Sequence, residues 1–391
     1  MSSTTLRTVA VRGVGLTTFG RLPGETDRSL AEVAVHRAIA DAAIDPSAIE
    51  AAWVGNVTGG QLGGQMCALG QLALRPFGLG GLPVTRVENA CASGSVAVRS
   101  AYLAVATGQV DVAIAFGAEH MTRAPTPLTI EVLAGASDLQ AEARFGVTFP
   151  GVFGMIARRH MDRYGTTPEQ LAAVTVKNHR NGALNPIAQF DQPVTVEDVL
   201  AARRVATPLG LLDCCGISDG AAAVIVVAGD LARPTDPRIL ASAQTSSAHE
   251  PFGDMTSFAL TRHAAERAYL QAGLDADAVD LAEVHDCFTI AEILHTEDLG
   301  FCAPGDGGAY VEDGRSALDG DVAINPSGGL GARGHPVGAT GCAQIGEAVL
   351  QLRGDAGERQ VAGARVALTH TLGAFVHGAA ASCAVHILGA P

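Results

Sequence analysis

Short apolar runs alternate along this chain with longer stretches of helical apolar spacing. Arg7–Thr17 alternates and carries valines, which predicts a first strand. Ser29–Ala43 has apolar residues at helical spacing and then turns at Ile44-Asp45-Pro46. Ala51–Asn56 predicts a short buried strand. After a glycine-rich loop, Val84–Glu88 predicts another, ending at Asn89-Ala90-Cys91-Ala92-Ser93-Gly94. Small and apolar residues recur at helical spacing over Ser95–Thr107 with no breaker, and Val110–Gly117 predicts the next strand. Strand, helix and strand in alternation imply a largely parallel sheet covered by helices, an α/β fold.

Residues from about Glu119 to Cys215 break that rhythm. They hold several prolines and most of the arginine clustering: Arg144, Arg158, Arg159, Arg163, Arg180, Arg203 and Arg204. The stretch reads as a long excursion folded onto the first unit, and such insertions usually carry binding function. For any single arginine, a solvated charged flap is an equally good reading. Ser218–Ala228 returns to a buried strand. The second half then repeats the first: Asp45, Ile49 and Val54 are matched in spacing by Asp275, Val279 and Val284. A short strand follows in both copies, ending at Gly55-Asn56 and at His285-Asp286. A duplicated α/β unit implies two similar sheets packed together, with a site where their strand ends converge.

Composition narrows the class. The 391 residues are 48% hydrophobic and only 17% charged, which suits a large, well-buried enzyme. The net charge is −14, Lys177 is the single lysine, and no basic run occurs, which argues against nucleic-acid binding. An anionic ligand must therefore be met by local arginines. The eight cysteines form no C-x-x-C pair and no signal peptide precedes them, so reduced thiols are expected. The longest apolar run, Ala221–Ala228, is too short to span a bilayer. The chain ends Leu388-Gly389-Ala390-Pro391 without a peroxisomal tripeptide, and a cytoplasmic location is expected.

Three places offer chemistry. Ile324–Gly341 is dense in glycine and holds His335 between Gly334 and Pro336. The proline restrains the histidine to an extended conformation, as a positioned general base requires. Alone, the loop reads equally as a turn with an incidental histidine. Cys91 lies between a strand and a helix start, where free N–H groups favour a thiolate and can hold an oxyanion. Its bland reading is a small buried hydrophobe. His285 and Cys287, two apart at a strand end, point to one face and suit an oxyanion donor and an acid/base thiol. They read otherwise as a metal-ligand pair or packing, but no second Cys/His pair at zinc spacing lies nearby, and no metal site is expected. A nucleophilic cysteine, an imidazole base and a second His–Cys pair suit acyl transfer with carbon–carbon bond chemistry.

With these motifs the chain resembles the thiolase superfamily from end to end, most closely its sterol-carrier-protein (lipid-transfer) type. The resemblance rests on Glu88–Gly94, His285-Asp286-Cys287-Phe288, and Asn325-Pro326-Ser327-Gly328-Gly329 leading to Gly334-His335-Pro336. Supporting stretches are Lys177–Asn181, Leu212–Cys215, Ser218–Ala222 and Gln351–Gly354. It implies a thiolase fold: two duplicated βαβαβ halves in a layered α/β/α/β/α core with an inserted loop domain. The expected boundaries are 1–118 with 217–238 for the N-terminal half, 119–216 for the loop domain and 239–391 for the C-terminal half. It implies an obligate homodimer or dimer of dimers, and coenzyme A as co-substrate with no bound cofactor. Cys91 is then the acylated nucleophile, and His335 the base that also helps hold the thioester oxygen. His285 is the other donor to that oxygen, and Cys287 the acid/base at the α-carbon. Substrate contacts are expected at Arg180, Cys215, Phe288 and Phe375. The loop His370–Cys383 departs from the family's compact glycine cluster, being longer and bulkier with Phe375 and His377. In the family a glycine N–H from this loop completes the second oxyanion hole, and Gly373 is the matching candidate, beside the Cys91 N–H. Cys383 reads as packing.

The leading expectation is a thiolase that cleaves a β-ketoacyl-CoA with CoA, or runs the reverse Claisen condensation, by ping-pong transfer through a cysteine thioester. One alternative is the thiolase subunit of a complex with a small zinc-ribbon/OB-fold partner, acting on aromatic, branched or steroid-derived acyl-CoA. Another is a thiolase-like retro-aldolase, against which the four retained residues Cys91, His285, Cys287 and His335 argue. A ketoacyl synthase fits the motifs poorly, and a non-catalytic scaffold would not need all four.

Overall fold

The computed structural model describes residues 6–247 and 253–391. Residues 1–5 and 248–252, which fall within the halves expected at 1–118 and 239–391, lie outside the described residues. In the first half, β1 (Val9–Leu16) leads to helix α1 (Asp27–Ala42), β2 (Ala51–Gly55), β3 (Val84–Val87), α2 (Ser93–Ala106) and β4 (Val112–His120). The excursion carries α3 (Phe149–Tyr164) and α4 (Pro168–Ala183), and the chain returns in β5 (Asp219–Ala228). The second half holds β6 (Arg238–Ser246), α5 (Ala259–Ala272), β7 (Leu281–Glu283), α6 (Thr289–Asp298), β8 (Ala323–Ile324), α7 (Thr340–Arg353), β9 (Val366–Val376) and β10 (Ala379–Gly389).

The duplication legible in the sequence is a duplication of topology. The first half runs in the order β3-β2-β4-β5-β1 and the second β8-β7-β9-β10-β6. β2 is parallel to β3 and β4, and β7 to β8 and β9, whereas β5 and β10 run antiparallel to their neighbours. The halves differ from the expectation of two merely packed sheets in one respect. β1 and β6 meet edge to edge, with Ala10 opposite Arg238 and the Val11 N–H donating to the Pro237 carbonyl at 2.8 Å. Pairing there satisfies backbone groups that two free edges would leave exposed, and all ten strands form one hydrogen-bonded row.

The layering follows from strand alternation. On β5, Ala222, Val224, Val226 and Ala228 enter a central core shared with α2 and α7, while Ala221, Ala223, Ile225 and Val227 pack on the α1 side. Both faces are covered, so the strand is an unbroken apolar run. On the second half, Leu281, Ala367 and Leu388 join the central core, and Ala282, Leu368 and Ile387 the outer core against α5 and α6. The order is thus α1, first sheet, α2 with α7, second sheet, then α5 with α6. Among the described residues no helix is long and apolar enough to cross a membrane.

Candidate active site

The three chemical stretches all leave the carboxyl ends of parallel strands. Cys91 follows β3, His285 follows β7 and His335 follows β8. The Sγ of Cys91 and one ring nitrogen each of His285 and His335 lie within 4.8 Å of one another.

The Cys91 turn is held tightly from its own sequence. Ala90 adopts φ 47°, a conformation that costs a non-glycine residue. Ser93 stabilises it: its hydroxyl donates to the Ala90 carbonyl at 2.6 Å and accepts from the Asn89 N–H at 2.8 Å. Helix α2 begins only at Ser93, two residues beyond the cysteine. The expected thiolate is not favoured at rest. Burial, followed by the Glu119 carboxylate, pushes the Cys91 thiol up to about 12, outweighing the helix end. A thiol held this high is protonated at neutral pH and attacks only with a base beside it.

His335 is placed to be one. Its N–H donates to the Ser218 hydroxyl at 2.9 Å, and its backbone bridges Ile217. Nδ1 lies 2.7 Å from the Thr340 hydroxyl, which itself donates to the Pro336 carbonyl at 3.1 Å. With its one proton spent on that carbonyl, the hydroxyl accepts from Nδ1–H, leaving the Nε2 lone pair free. Burial, then His285 and Arg333, holds this imidazole well below its ordinary range, so it is neutral.

The strand before His285 stops at Glu283, short of the expected His285-Asp286, so His285–Phe288 form a turn into α6. At this break the Asp286 carboxylate serves the glycine loop. It accepts from the Leu330 N–H at 2.7 Å, the Gly331 N–H at 3.1 Å and Asn178 Nδ2 at 2.9 Å. Gly329, at φ 61°, lies so close that a Cβ would meet Asp286 Oδ2 at 2.3 Å. Burial lowers His285 to about 3, and its Nδ1 has no hydrogen-bond partner among the described residues. His285 and His335 meet edge to face, with ring centroids 5.1 Å apart. Cys287 and Cys215 lie beside them: the Cys215 N–H donates to the Cys287 carbonyl at 3.0 Å. Both thiols are pushed well up, first by burial and then by neighbours that include Cys91.

A buried polar frame that sequence reasoning passed over carries these groups. α4 and the residues just after it pin the loop through Lys177 Nζ to the Ile324 carbonyl (2.6 Å), Asn181 to the Asn325 carbonyl (3.0 Å) and Asn185 to the Ser327 carbonyl (2.8 Å). Glu292 receives Lys177, Asn178 and Asn325. Arg333, fully buried, pairs with Glu283 at 3.0 Å. Glu119 accepts from the Thr58 hydroxyl at 2.6 Å and the Gly338 N–H at 3.2 Å, joining the first half to the histidine loop. The available signal was charged residues set inside apolar strand ends, which stay buried only when paired.

The remaining expected site residues scatter. Gly373 lies against the nucleophile turn, where a Cβ would meet the Asn89 carbonyl oxygen at 2.0 Å. Phe288 and Phe375 are buried in an aromatic cluster: Phe153 stacks on Phe288 at 4.5 Å and lies 5.8 Å from Phe375. Arg180 is exposed near the end of α4, and all seven clustered arginines are exposed. Arg158 and Arg163 are paired with Asp162 and Asp254. Cys383 is buried in the outer core. His295 is fully buried with neither ring nitrogen hydrogen-bonded among the described residues.

Comparison with known proteins agrees with this geometry. The family described as "Thiolase, N-terminal domain" matches residues 9–230, and "Thiolase C-terminal domain-like" matches 241–390. An acetyl-CoA acetyltransferase of Methanothermobacter thermautotrophicus is 49% identical, over 98% of this chain and 99% of its own. Sterol carrier protein 2 of Bos taurus is 38% identical over 93% of this chain and 70% of its own. Among solved structures, the Ltp2-ChsH2(DUF35) aldolase superposes with a TM-score of 0.83 at 28% identity, covering 98% of each chain. The chain belongs to the thiolase family and resembles its sterol-carrier type. It is an acyltransferase of the thiolase class.

Proposed function

We propose that the protein exchanges acyl groups between β-ketoacyl-CoA and CoA through a thioester on Cys91. The observation that carries the reading is the convergence of Cys91, His285 and His335 within 4.8 Å. Thiol and imidazole are both neutral at rest, so proton transfer accompanies attack. As the Cys91 proton passes to His335 Nε2, sulfur attacks the β-carbonyl carbon of the substrate. The oxyanion that forms is held by backbone N–H groups of Cys91 and Gly373. Collapse breaks the bond between the α- and β-carbons and leaves its electron pair as the enolate of the departing acyl-CoA. His285 and His335 donate to that enolate oxygen, and the Cys287 thiol protonates the α-carbon. CoA then gives its thiol proton to the Cys287 thiolate and attacks the Cys91 thioester, and the departing Cys91 sulfur takes back the proton held by His335, which restores the enzyme and closes a ping-pong cycle. The condensation is the same path reversed.

Arg180, Cys215, Phe288 and Phe375 are assigned to the substrate side, with exposed arginines of the excursion for the CoA phosphates, and a homodimer in the cytoplasm as the working unit. The test is intact-protein mass after incubation with acetyl-CoA and, separately, acetoacetyl-CoA. An acetyl adduct absent from Cys91→Ser is expected. Wild-type protein that stays unlabelled, alone or with any co-purifying subunit, would sink the reading.

A second reading is favoured by one observation. One of the solved structures this chain resembles is the Ltp2-ChsH2(DUF35) aldolase, whose name joins two components. The chain in that case is the thiolase subunit of a two-component enzyme for a bulkier aromatic, branched or steroid-derived acyl-CoA, consistent with the large residues Phe375 and His377. Labelling that appears only when a small co-purified subunit is restored would select it.

A further inference from the structure

We propose that Cys91, His285 and His335 also form a site for one zinc-type divalent cation, whose binding masks the nucleophile reversibly. This is the one group of three such ligands found together among the described residues, with its donor atoms within 4.8 Å of one another. A tetrahedral zinc with Zn–S near 2.3 Å and Zn–N near 2.0–2.1 Å holds its donors roughly 3.3–3.7 Å apart. Closing to that spacing takes a shift of about an ångström, within reach of rotation about the Cys91 and His285 side-chain bonds.

The donor set is selective. Two imidazoles and a thiolate favour zinc over the hard ions magnesium and calcium. Thr340 fixes the His335 ring through Nδ1 at 2.7 Å and presents Nε2 as the ligand, the outer-shell support usual for metal-bound histidine. His285 and His335 are buried, whereas Cys91 keeps partial exposure, so the ion enters by the mouth a substrate uses. Three protein ligands leave a fourth position for water. On binding, Cys91 Sγ releases its proton to solvent and forms the metal–sulfur bond, with no change of oxidation state. A cysteine held as a thioester has no thiolate to offer, so an acylated enzyme excludes the ion. The site follows from the positions of three donor atoms and does not depend on which acyl group the protein transfers. Its failure would leave the transferase reading intact.

The test titrates the full chain, reduced and stripped with chelator, with cobalt(II), which takes zinc sites and reports them by absorption. Expected is one ion per chain with a thiolate-to-cobalt charge-transfer band, displaced by one equivalent of zinc. The band is lost in Cys91→Ala and retained in Cys67→Ser, which alters an exposed cysteine. Thr340→Val weakens cobalt binding about 10–100-fold. A band that survives Cys91→Ala in a folded variant overturns the proposal, as does its absence from wild type. A second measurement needs no variant: one equivalent of zinc protects Cys91 from iodoacetamide, read by peptide mass, and chelator restores labelling. Equal labelling with and without zinc overturns it equally.

Discussion

The Thr340 hydroxyl stands 2.7 Å from His335 Nδ1 while its own proton is directed to the Pro336 carbonyl at 3.1 Å. One hydroxyl thereby selects the tautomer of the imidazole five residues earlier. Thr340→Val keeps the shape and removes the acceptor. Turnover is expected to fall about 10–100-fold, with KM for the acyl-CoA little changed, because the loss concerns proton transfer and not binding. Steady-state kinetics of the thiolytic reaction check this. A proportional rise in KM at constant kcat would assign Thr340 to substrate binding instead.

Gly373 is required for contact. A Cβ there would meet the Asn89 carbonyl oxygen at 2.0 Å and the Ala92 Cβ at 3.0 Å. Both neighbours belong to the turn that carries Cys91, so they cannot yield without moving that cysteine. Gly373→Ala is expected to cost about 1–3 kcal/mol of stability through overpacking and about 100-fold in rate through misplacement of the sulfur. Urea unfolding alongside acylation rate measures both. Full activity with the stability loss would mean that the turn and β9 adjust independently.

The sequence made the halves legible because helix, turn and strand recur at one spacing: Pro46–Ala48 and Ala276–Ala278 form the same short turn ahead of β2 and β7. Cys91 and His335 stood out locally, each lying beside a glycine- or proline-marked turn, and His285 through its spacing of two from Cys287 at a strand end. What pattern could not reach was long range. Nothing near Asp286 signals that its carboxylate holds Leu330 and Gly331, and nothing near Glu119 signals Gly338. The direction of the Cys91 shift was misjudged similarly. A helix start is visible locally, whereas burial and a carboxylate from β4 are properties of the assembled fold.

Glu119 offers a direct test of that shift. Its charge is the second cause of the raised Cys91 thiol, after burial, and its own carboxyl is held at about 7. In Glu119→Gln the charge is gone, so Cys91 should be alkylated by iodoacetamide several-fold faster than wild type at pH 8. At pH 6 wild-type Glu119 is itself largely protonated, and the two rates should converge. The variant should also unfold more easily, by about 1–3 kcal/mol, because the amide nitrogen faces the Thr58 N–H that the carboxylate accepts at 3.1 Å. A rate ratio that does not change between the two pH values would show that Glu119 acts on Cys91 through position and not charge.

Buried histidines should set the acid limit of stability. His386 and His285 are held at about 3 by burial, against an ordinary value of 6.5. Below 6.5 the unfolded chain binds protons that the folded chain refuses. The stability is therefore complete above 6.5 and is lost as pH falls from there toward 3. Glu119, raised to about 7, has the opposite slope, stabilising progressively as pH falls from 7 toward its ordinary value. Total stability mixes the two, but a difference between proteins does not. His386→Leu removes one buried imidazole from β10, away from the proposed catalytic groups. Its unfolding free energy, measured in urea at fixed protein concentration, should gain on wild type by roughly 1.2 kcal/mol between pH 6 and pH 5. Between pH 8 and pH 7 the gain should be only about 0.1 kcal/mol. Parallel profiles from pH 8 to pH 5 would mean that His386 titrates alike in both states, and that burial does not keep it neutral.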